Sequence, residues 1–159
     1  MSFEWKNLKY MLLTALLLAV KPSFAQTYTT VSPSELVNIL REAGYTPEIK
    51  AGTANRPETL RVAVEGITTT VTFYNCDAGS CRSFQYYASW TVHGKTGVEV
   101  VNTWNAKHRF GRAYLDSDRD PTIEMDVDLD GGVNLKHIKE SIETWRVIAT
   151  NFRTALSQD

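Results

Sequence analysis

The sequence predicts an α+β fold, a two-layer sandwich of helices on an antiparallel sheet. Hydrophobic periodicity gives the element order α-β-β-β-α-β-β-α. Apolar and polar residues alternate along each predicted strand, which is typical of a sheet with one dry face. The connections between consecutive strands are short enough for antiparallel pairing. Helices that are segregated from an antiparallel sheet pack on one of its faces, and this makes two layers.

The first helix is predicted to begin directly after Ser32. Pro33 suits the first helical position, and Glu35 completes a capping box with Ser32. Gly44 is placed to end the helix in a left-handed conformation. The apolar residues of this helix share one face: Leu36, Ile39, Leu40 and Ala43.

Three strands follow, each with its apolar side chains on alternate positions. The residues expected to face the helices are Leu60, Val62 and Val64 in the first strand, Ile67, Thr69, Val71 and Phe73 in the second, and Phe84, Tyr86, Ala88, Trp90 and Val92 in the third.

A second helix is predicted with a capping box of Thr96 and Glu99, and with an apolar face of Val98, Val101 and Trp104. A hairpin over 110–115 and 122–129 comes next. The last helix begins after an N-cap at Asn134 and runs to Leu156, and its apolar stripe, which includes Trp145, spans six turns. We expect Trp90, Trp104 and Trp145 to pack in the core.

Residues 1–25 have the parts of a secretory signal peptide. Lys6 and Lys9 precede an apolar run over 10–20, and small residues stand at Ser23 and Ala25. The run is shorter than the ~20 residues that a membrane-spanning helix needs. We therefore expect cleavage after Ala25, a periplasmic or secreted protein, and no stable membrane anchor after cleavage. A retained N-terminal anchor is the alternative.

The remaining residues, 26–159, have the length of one domain. The whole chain carries a net charge of −1, and removal of three Lys and one Glu with the signal peptide leaves −3. This weakly acidic balance excludes a general nucleic-acid binder, which needs clustered Lys and Arg.

Residues 116–130 form an acidic hairpin with seven carboxylates and one Arg. Its acidic residues are predicted to form a docking face: Asp116, Asp118, Asp120, Glu124, Asp126, Asp128 and Asp130. The last four should point outward as a ladder, since they alternate with apolar residues. Three interpretations stay open: a solvated face, a docking surface for a basic protein, and a weak divalent-cation site. The start resembles a calcium loop, but Pro121 and Val127 replace the Gly and Glu that such a loop requires.

Cys76 and Cys81 flank the tip of the first predicted hairpin. In an exported protein, two cysteines across a turn most simply form a structural disulfide. A reversible redox switch and free or metal-bound thiols are the alternatives.

The sequence contains no recognisable catalytic constellation, metal set or cofactor motif. His93, His108 and His137 are not at metal-ligand spacing, and the basic residues at 107–109 suit the end of a helix, where cations offset its dipole. The expectation is a non-enzymatic protein with no cofactor. A hydrolase that uses His108 in an unrecognised site is a rival hypothesis.

The segment from Trp104 and Asn105 through Arg109, with the acidic strand after it, resembles the YbjN-domain family of bacteria. The resemblance extends over nearly the whole mature chain. It implies a secretion-chaperone-like α+β sandwich and a regulatory role in sensory transduction, and it supplies no catalytic residues.

From these observations we expect an exported regulatory or protein-binding module, chaperone-like as the resemblance implies, which binds another protein. A basic partner and a homodimer are the two forms of association that stay open. The functional alternative is a periplasmic divalent-cation-binding module that uses the acidic hairpin 116–130.

Overall fold

The computed structural model describes residues 26–53, 58–92 and 96–157 and consists of three helices and eight strands in this part of the chain. The helices are α1 (Pro33–Glu42), α2 (Val98–Lys107) and α3 (Leu135–Leu156). The strands are β1 (Thr27–Tyr28), β2 (Glu48–Lys50), β3 (Thr59–Val64), β4 (Ile67–Asp77), β5 (Ser80–Ser89), β6 (Arg112–Leu115), β7 (Pro121–Asp128) and β8 (Val133–Asn134). The predicted signal peptide, 1–25, lies outside the described residues.

The main sheet has six antiparallel strands in the order β2-β3-β4-β5-β7-β6, and β1 pairs with β8 separately. The predicted α+β class and its element order are confirmed. The structure adds β1, β2 and β8, which the sequence did not predict because two or three residues are too few to show an alternation. Among the described residues, no helix has the length and apolar content that crossing a bilayer requires.

The helices cover the sheet face that carries the predicted apolar residues. Trp145 of α3 stacks on Tyr86 of β5 with ring centroids 5.7 Å apart, and its Nε1 donates to Thr69 Oγ1 at 2.9 Å. Trp145 and Trp104 are buried, whereas Trp90 is half-buried and packs on Phe152. The expected core role of the three tryptophans is thus confirmed, with Trp90 at its margin.

The tip of the β4–β5 hairpin is a two-residue turn at Ala78 and Gly79. Both residues have positive φ, 48° and 85°, as the tight turns that match strand twist require. Cys76 and Cys81 face each other across the last rungs of the ladder and form the predicted disulfide. The backbone of Cys81 also exchanges two hydrogen bonds with Val31, at 2.9 Å each, so the segment before α1 is attached to this hairpin.

The helix caps agree with the sequence in two of three cases. Ser32 and Glu35 form the predicted capping box on α1, and Asn134 Oδ1 accepts from His137 N at 2.9 Å at the start of α3. The predicted box of Thr96 and Glu99 is wrong. The N-cap of α2 is a glycine without a side-chain hydrogen bond, because the helix begins one residue later than the box requires.

Three other local predictions need correction. Val98, which was placed on the apolar face of α2, is 48% exposed. Strand β5 ends at Ser89, so Trp90 and Val92 follow it instead of extending it. The strand predicted from Phe110 begins only at Arg112, since Phe110 has a φ of 71°, which an extended strand does not allow.

Candidate functional site

Six of the seven carboxylates of the acidic hairpin lie in two groups of three at opposite ends of β7, and Glu124 lies between them. Asp116, Asp118 and Asp120 belong to the β6–β7 connection, and the second group follows at the other end of the strand. The six residue steps from Asp120 to Asp126 span about 20 Å at the usual strand rise. The hairpin therefore does not present one continuous acidic face.

The first group shapes the β6–β7 turn. Asp116 Oδ1 accepts from the backbone N–H of Asp118 at 3.0 Å and of Asp120 at 2.9 Å. Asp120 Oδ1 accepts from Val92 N at 2.8 Å and fixes the segment after β5. Within the described ranges, no group of three or more His, Cys, Asp or Glu side chains is placed to hold a metal ion. These hydrogen bonds give Asp116 and Asp120 a structural role in the loop.

Glu124 points to the uncovered sheet face, as predicted, but it is not an exposed member of a ladder. Its side chain is 5% exposed, forms an ion pair with Arg112, and accepts from Tyr114 Oη at 3.2 Å. The reason is that Glu124 lies where β7 has neighbours on both sides, and Arg112 stands directly opposite it. The long side chains of the neighbouring strand cover its carboxylate.

The second group, Asp126, Asp128 and Asp130, is exposed. Asp126 Oδ1 accepts from Gln85 Nε2 at 2.9 Å, and Asp130 lies 3.7 Å from Arg82 in an exposed ion pair. All three carboxylates line a groove of about 510 Å³ on the uncovered sheet face, together with Tyr74, Asn75, Ser83 and Gln85. This is the largest concentration of exposed acidic charge in the predicted docking set.

Beside this group, the edge of β7 is open. Pairing with β6 stops at the rung of Arg112 and Glu124. Continued by two residues, the same register would place Phe110 opposite Asp126, but the positive φ of Phe110 turns the chain away. The strand half that contains Asp126 and Asp128 therefore has a neighbour in β5 and none on its other side within the described residues.

A second groove, of about 400 Å³, lies on the helix side of this open edge. Phe110, which is 67% exposed, stands at one end, and α3 forms the opposite wall. The lining residues are Phe110, Met125, Asp126, Val127, Asp128, His137, Glu140, Ser141 and Thr144. Asp126 and Asp128 line both grooves, so the open edge separates them.

A family model described as "Putative bacterial sensory transduction regulator", YbjN, matches residues 32–158. This range includes α1, α2, α3 and all the described strands except β1. The chain belongs to the YbjN family. No curated protein matches the sequence. The family description supports a regulatory or binding module in general terms and names no enzymatic activity.

In this YbjN domain, Trp104, Asn105 and Arg109 of the sequence resemblance lie at the end of α2 and beside β6. Trp104 is buried and stacks on His108 with centroids 4.6 Å apart, and His108 Nδ1 lies 2.9 Å from Trp104 O at the end of α2. Asn105 bonds to β6, and the guanidinium of Arg109 lies 4.8 Å from the centroid of the Phe110 ring. The block fixes the chain where it enters β6.

Two of the three histidines lie in the described part of the chain, at the ends of different helices. His108 closes the C-terminus of α2, His137 is exposed in the first turn of α3, and His93 lies outside the described residues. The open edge itself was missed by the sequence analysis. To predict the open edge, one would have to know that β6 begins at Arg112. That start depends on the backbone conformation of Phe110, which the sequence pattern does not show.

Proposed function

We propose that this YbjN protein is an exported, non-enzymatic binding module that recognises a basic segment of another protein at Asp126, Asp128 and Asp130. The observation that carries the proposal is the composition of the two grooves at the end of β7. Their linings hold four carboxylates, the three Asp and Glu140, and neither lining includes a Lys or Arg among the described residues.

The negative charge of Asp126 and Asp128 has no cationic partner in the hydrogen bonds and ion pairs of the described residues. Side chains two residues apart on one strand face lie ~7 Å from each other, so Asp126 and Asp128 repel. Gln85 gives Asp126 a neutral donor, and the cation Arg82 pairs with Asp130 at the exposed end. A basic partner would offset the repulsion and would be attracted to this end of the domain before contact.

Export is supported by the N-terminal sequence and by the disulfide. A signal peptide that is cleaved after Ala25 would deliver the chain to an oxidising compartment, where the Cys76–Cys81 disulfide persists. Mass spectrometry of the unreduced protein from the periplasm should give a mature chain that begins at Gln26 and has no free thiol. Retention of residues 1–25, or two free thiols in the exported protein, would contradict this part of the proposal.

The binding proposal is tested by crosslinking in the native periplasm with the double variant Asp126→Asn, Asp128→Asn. The Asn side chains keep the oxygen that accepts from Gln85 Nε2 and the oxygen that accepts from Asp130 N, so the fold should be retained. We expect the variant to lose crosslinks to basic proteins that the wild type captures.

The matched control is Glu58→Gln, Asp118→Asn, which removes the same number of exposed carboxylates at sites outside both grooves. This control should keep the wild-type crosslinks. An identical set of crosslinked proteins for the wild type and both double variants would refute recognition through Asp126 and Asp128.

A further inference from the structure

We propose that the partner's basic segment binds as an added antiparallel strand along the open edge of β7, opposite Asp126 and Asp128. This inference rests on the proposed function and specifies its binding mode. A surface that recognised charge alone would require only the carboxylates, whereas strand addition also requires free backbone groups on a strand that faces solvent.

The alternating direction of the hydrogen bonds along β7 leaves the backbone groups of Asp126 and Asp128 free on the open side. Leu129 N donates to Arg82 O at 2.9 Å, and Trp90 N donates to Pro121 O at 3.0 Å. Both bonds join odd-numbered residues of this segment to β5 or to the residue directly after it. Because alternate residues of an antiparallel strand bond to opposite neighbours, the N–H and C=O groups of Asp126 and Asp128 point to the other side, beyond the end of β6.

The side chains beside this edge differ between the two sheet faces. Asp126 and Asp128 lie on the uncovered face, and Met125 and Val127 lie on the helix side. In an antiparallel pair, directly opposite residues place their side chains on the same face. An added strand that alternates basic and apolar residues would therefore place its cations beside the carboxylates and its apolar side chains in the groove near Phe110.

Charge selects the occupant of the edge. If two copies paired through this edge about Val127, Asp126 of each would stand opposite Asp128 of the other, and like charges directly opposite are destabilising. A basic segment reverses the sign of that interaction. Two other charged groups lie near the second groove. Glu140 on α3 adds a carboxylate, which favours a basic segment. Arg109, which would repel a basic segment, lies over the Phe110 ring at the far end.

The probe is the acetylated and amidated peptide Lys-Val-Lys-Val-Lys-Val, titrated against the folded protein by NMR at low salt. Strand addition predicts slower hydrogen exchange of the Asp126 and Asp128 amides in the complex. The Met125 and Val127 amides already face β5, and their exchange should not change, which makes them an internal control. Binding without protection of Asp126 and Asp128 would overturn the proposal.

Two N-methylated peptides separate strand addition from charge attraction. In the antiparallel pairing, the lysines opposite Asp126 and Asp128 exchange hydrogen bonds with them, so methylation of the lysine amides should weaken binding about tenfold or more. Methylation of the valine amides leaves that peptide edge intact and should be tolerated. Equal affinity of the two methylated peptides would overturn strand addition.

The outcomes distinguish this inference from the proposed function. The variant Asp126→Asn, Asp128→Asn should bind the unmodified peptide about fivefold more weakly. If that loss is found but the two methylated peptides bind equally, basic recognition stands and strand addition falls. If the unmodified peptide does not bind at millimolar concentration, strand addition falls, and the proposed function is still decided by the crosslinking experiment.

Discussion

The side-chain amide of Asn105 pairs with the backbone of Ala113 as a neighbouring strand would. Asn105 Nδ2 donates to Ala113 O at 2.8 Å, and Asn105 Oδ1 accepts from Ala113 N at 2.9 Å. Arg112 and Tyr114 bond to β7, so the peptide groups of Ala113 face the outer side of the sheet. One side chain on α2 thereby closes this part of the edge, whereas the part at Asp126 and Asp128 stays open.

We expect Asn105→Ala to lower the free energy of unfolding by about 1–3 kcal/mol, because it removes two hydrogen bonds from a part-buried strand edge. Urea denaturation at neutral pH measures this loss. Asn102→Ala is the matched control, since Asn102 is exposed on the same helix, and it should change stability by less than about 0.5 kcal/mol. Equal effects of the two substitutions would show that the Asn105 amide does not hold β6.

Gly111 allows α3 to approach the entrance of β6. A Cβ at this position would lie 2.8 Å from Ile148 Cγ2 and 3.0 Å from Trp104 Cη2. Both contacts are with buried side chains, so Gly111→Ala should cost about 1–3 kcal/mol through overpacking. The control is Gly97→Ala, where the close atom is the carboxylate of the flexible Glu99. Its cost should be smaller, about 0.5 kcal/mol, from the poorer preference of Ala for the N-cap of α2. Thermal unfolding of the two variants should separate them, and a Gly111→Ala protein as stable as the control would contradict this packing.

The carboxylate of Glu124 depends on Arg112 for its charge partner. Arg112→Ala would leave a nearly buried carboxylate with only the Tyr114 hydroxyl as a donor, and should cost about 1–3 kcal/mol. Adding Glu124→Gln in that background removes the unpaired charge and should restore about half of the loss. Chemical denaturation of the two single variants and the double variant forms the cycle. Additive losses would contradict a coupling between the two side chains.

The capping box on α1 predicts a pH-dependent stability. Two hydrogen bonds from Ser32 lower the pKa of Glu35 from its ordinary value of 4.5. The bond from the backbone N–H has the larger effect, and the bond from the hydroxyl has the smaller one. A lowered carboxyl pKa gives stability that is present above 4.5 and is lost as the pH falls through the lower pKa of the folded state. Ser32→Ala should therefore cost about 1 kcal/mol at pH 7, and the difference from wild type should shrink below pH 4.5.

Urea titrations of wild type and Ser32→Ala between pH 3 and 7 measure this difference. Glu58→Gln is a control for general loss of acidic charge. Because the variant keeps the backbone N–H of residue 32, this difference reports the contribution of the hydroxyl. A difference that stayed constant over the whole range would show that the Glu35 charge gains nothing from the Ser32 hydroxyl.

The correct predictions from the sequence are those that local patterns determine. The Ser32 and Asn134 caps, the alternation that buries Leu60 and Val71, and the hairpin disulfide each depend on residues close in sequence or on one repeated period. Burial of Trp145 follows from the helical period in the same way.

The α2 capping box and the place of Val98 were local errors, since the helix begins one residue later than its pattern indicates. The errors at the candidate surface concern properties that depend on distant pairing. Glu124 is nearly buried because Arg112 on the neighbouring strand covers it. The edge of β7 is open at Asp126 and Asp128 because β6 begins only at Arg112. A positive φ at Phe110 cannot be read from its identity, since an aromatic residue disfavours that conformation. The acidic residues of the candidate surface were identifiable in the sequence, but the position of the surface could be found only from the register of the sheet.

The hydrogen bond from Trp145 to Thr69 joins two side chains that are fully buried in the core. Thr69→Val keeps the shape of the side chain but leaves the indole N–H without its acceptor, which should cost about 1–3 kcal/mol. Trp145→Phe removes the donor and leaves a cavity, with a cost of about 2–4 kcal/mol. In the double variant no donor remains unpaired, so its loss should be smaller than the sum of the two single losses by about 1 kcal/mol or more. Urea denaturation followed by far-UV circular dichroism measures all four proteins, and strictly additive losses would contradict the bond.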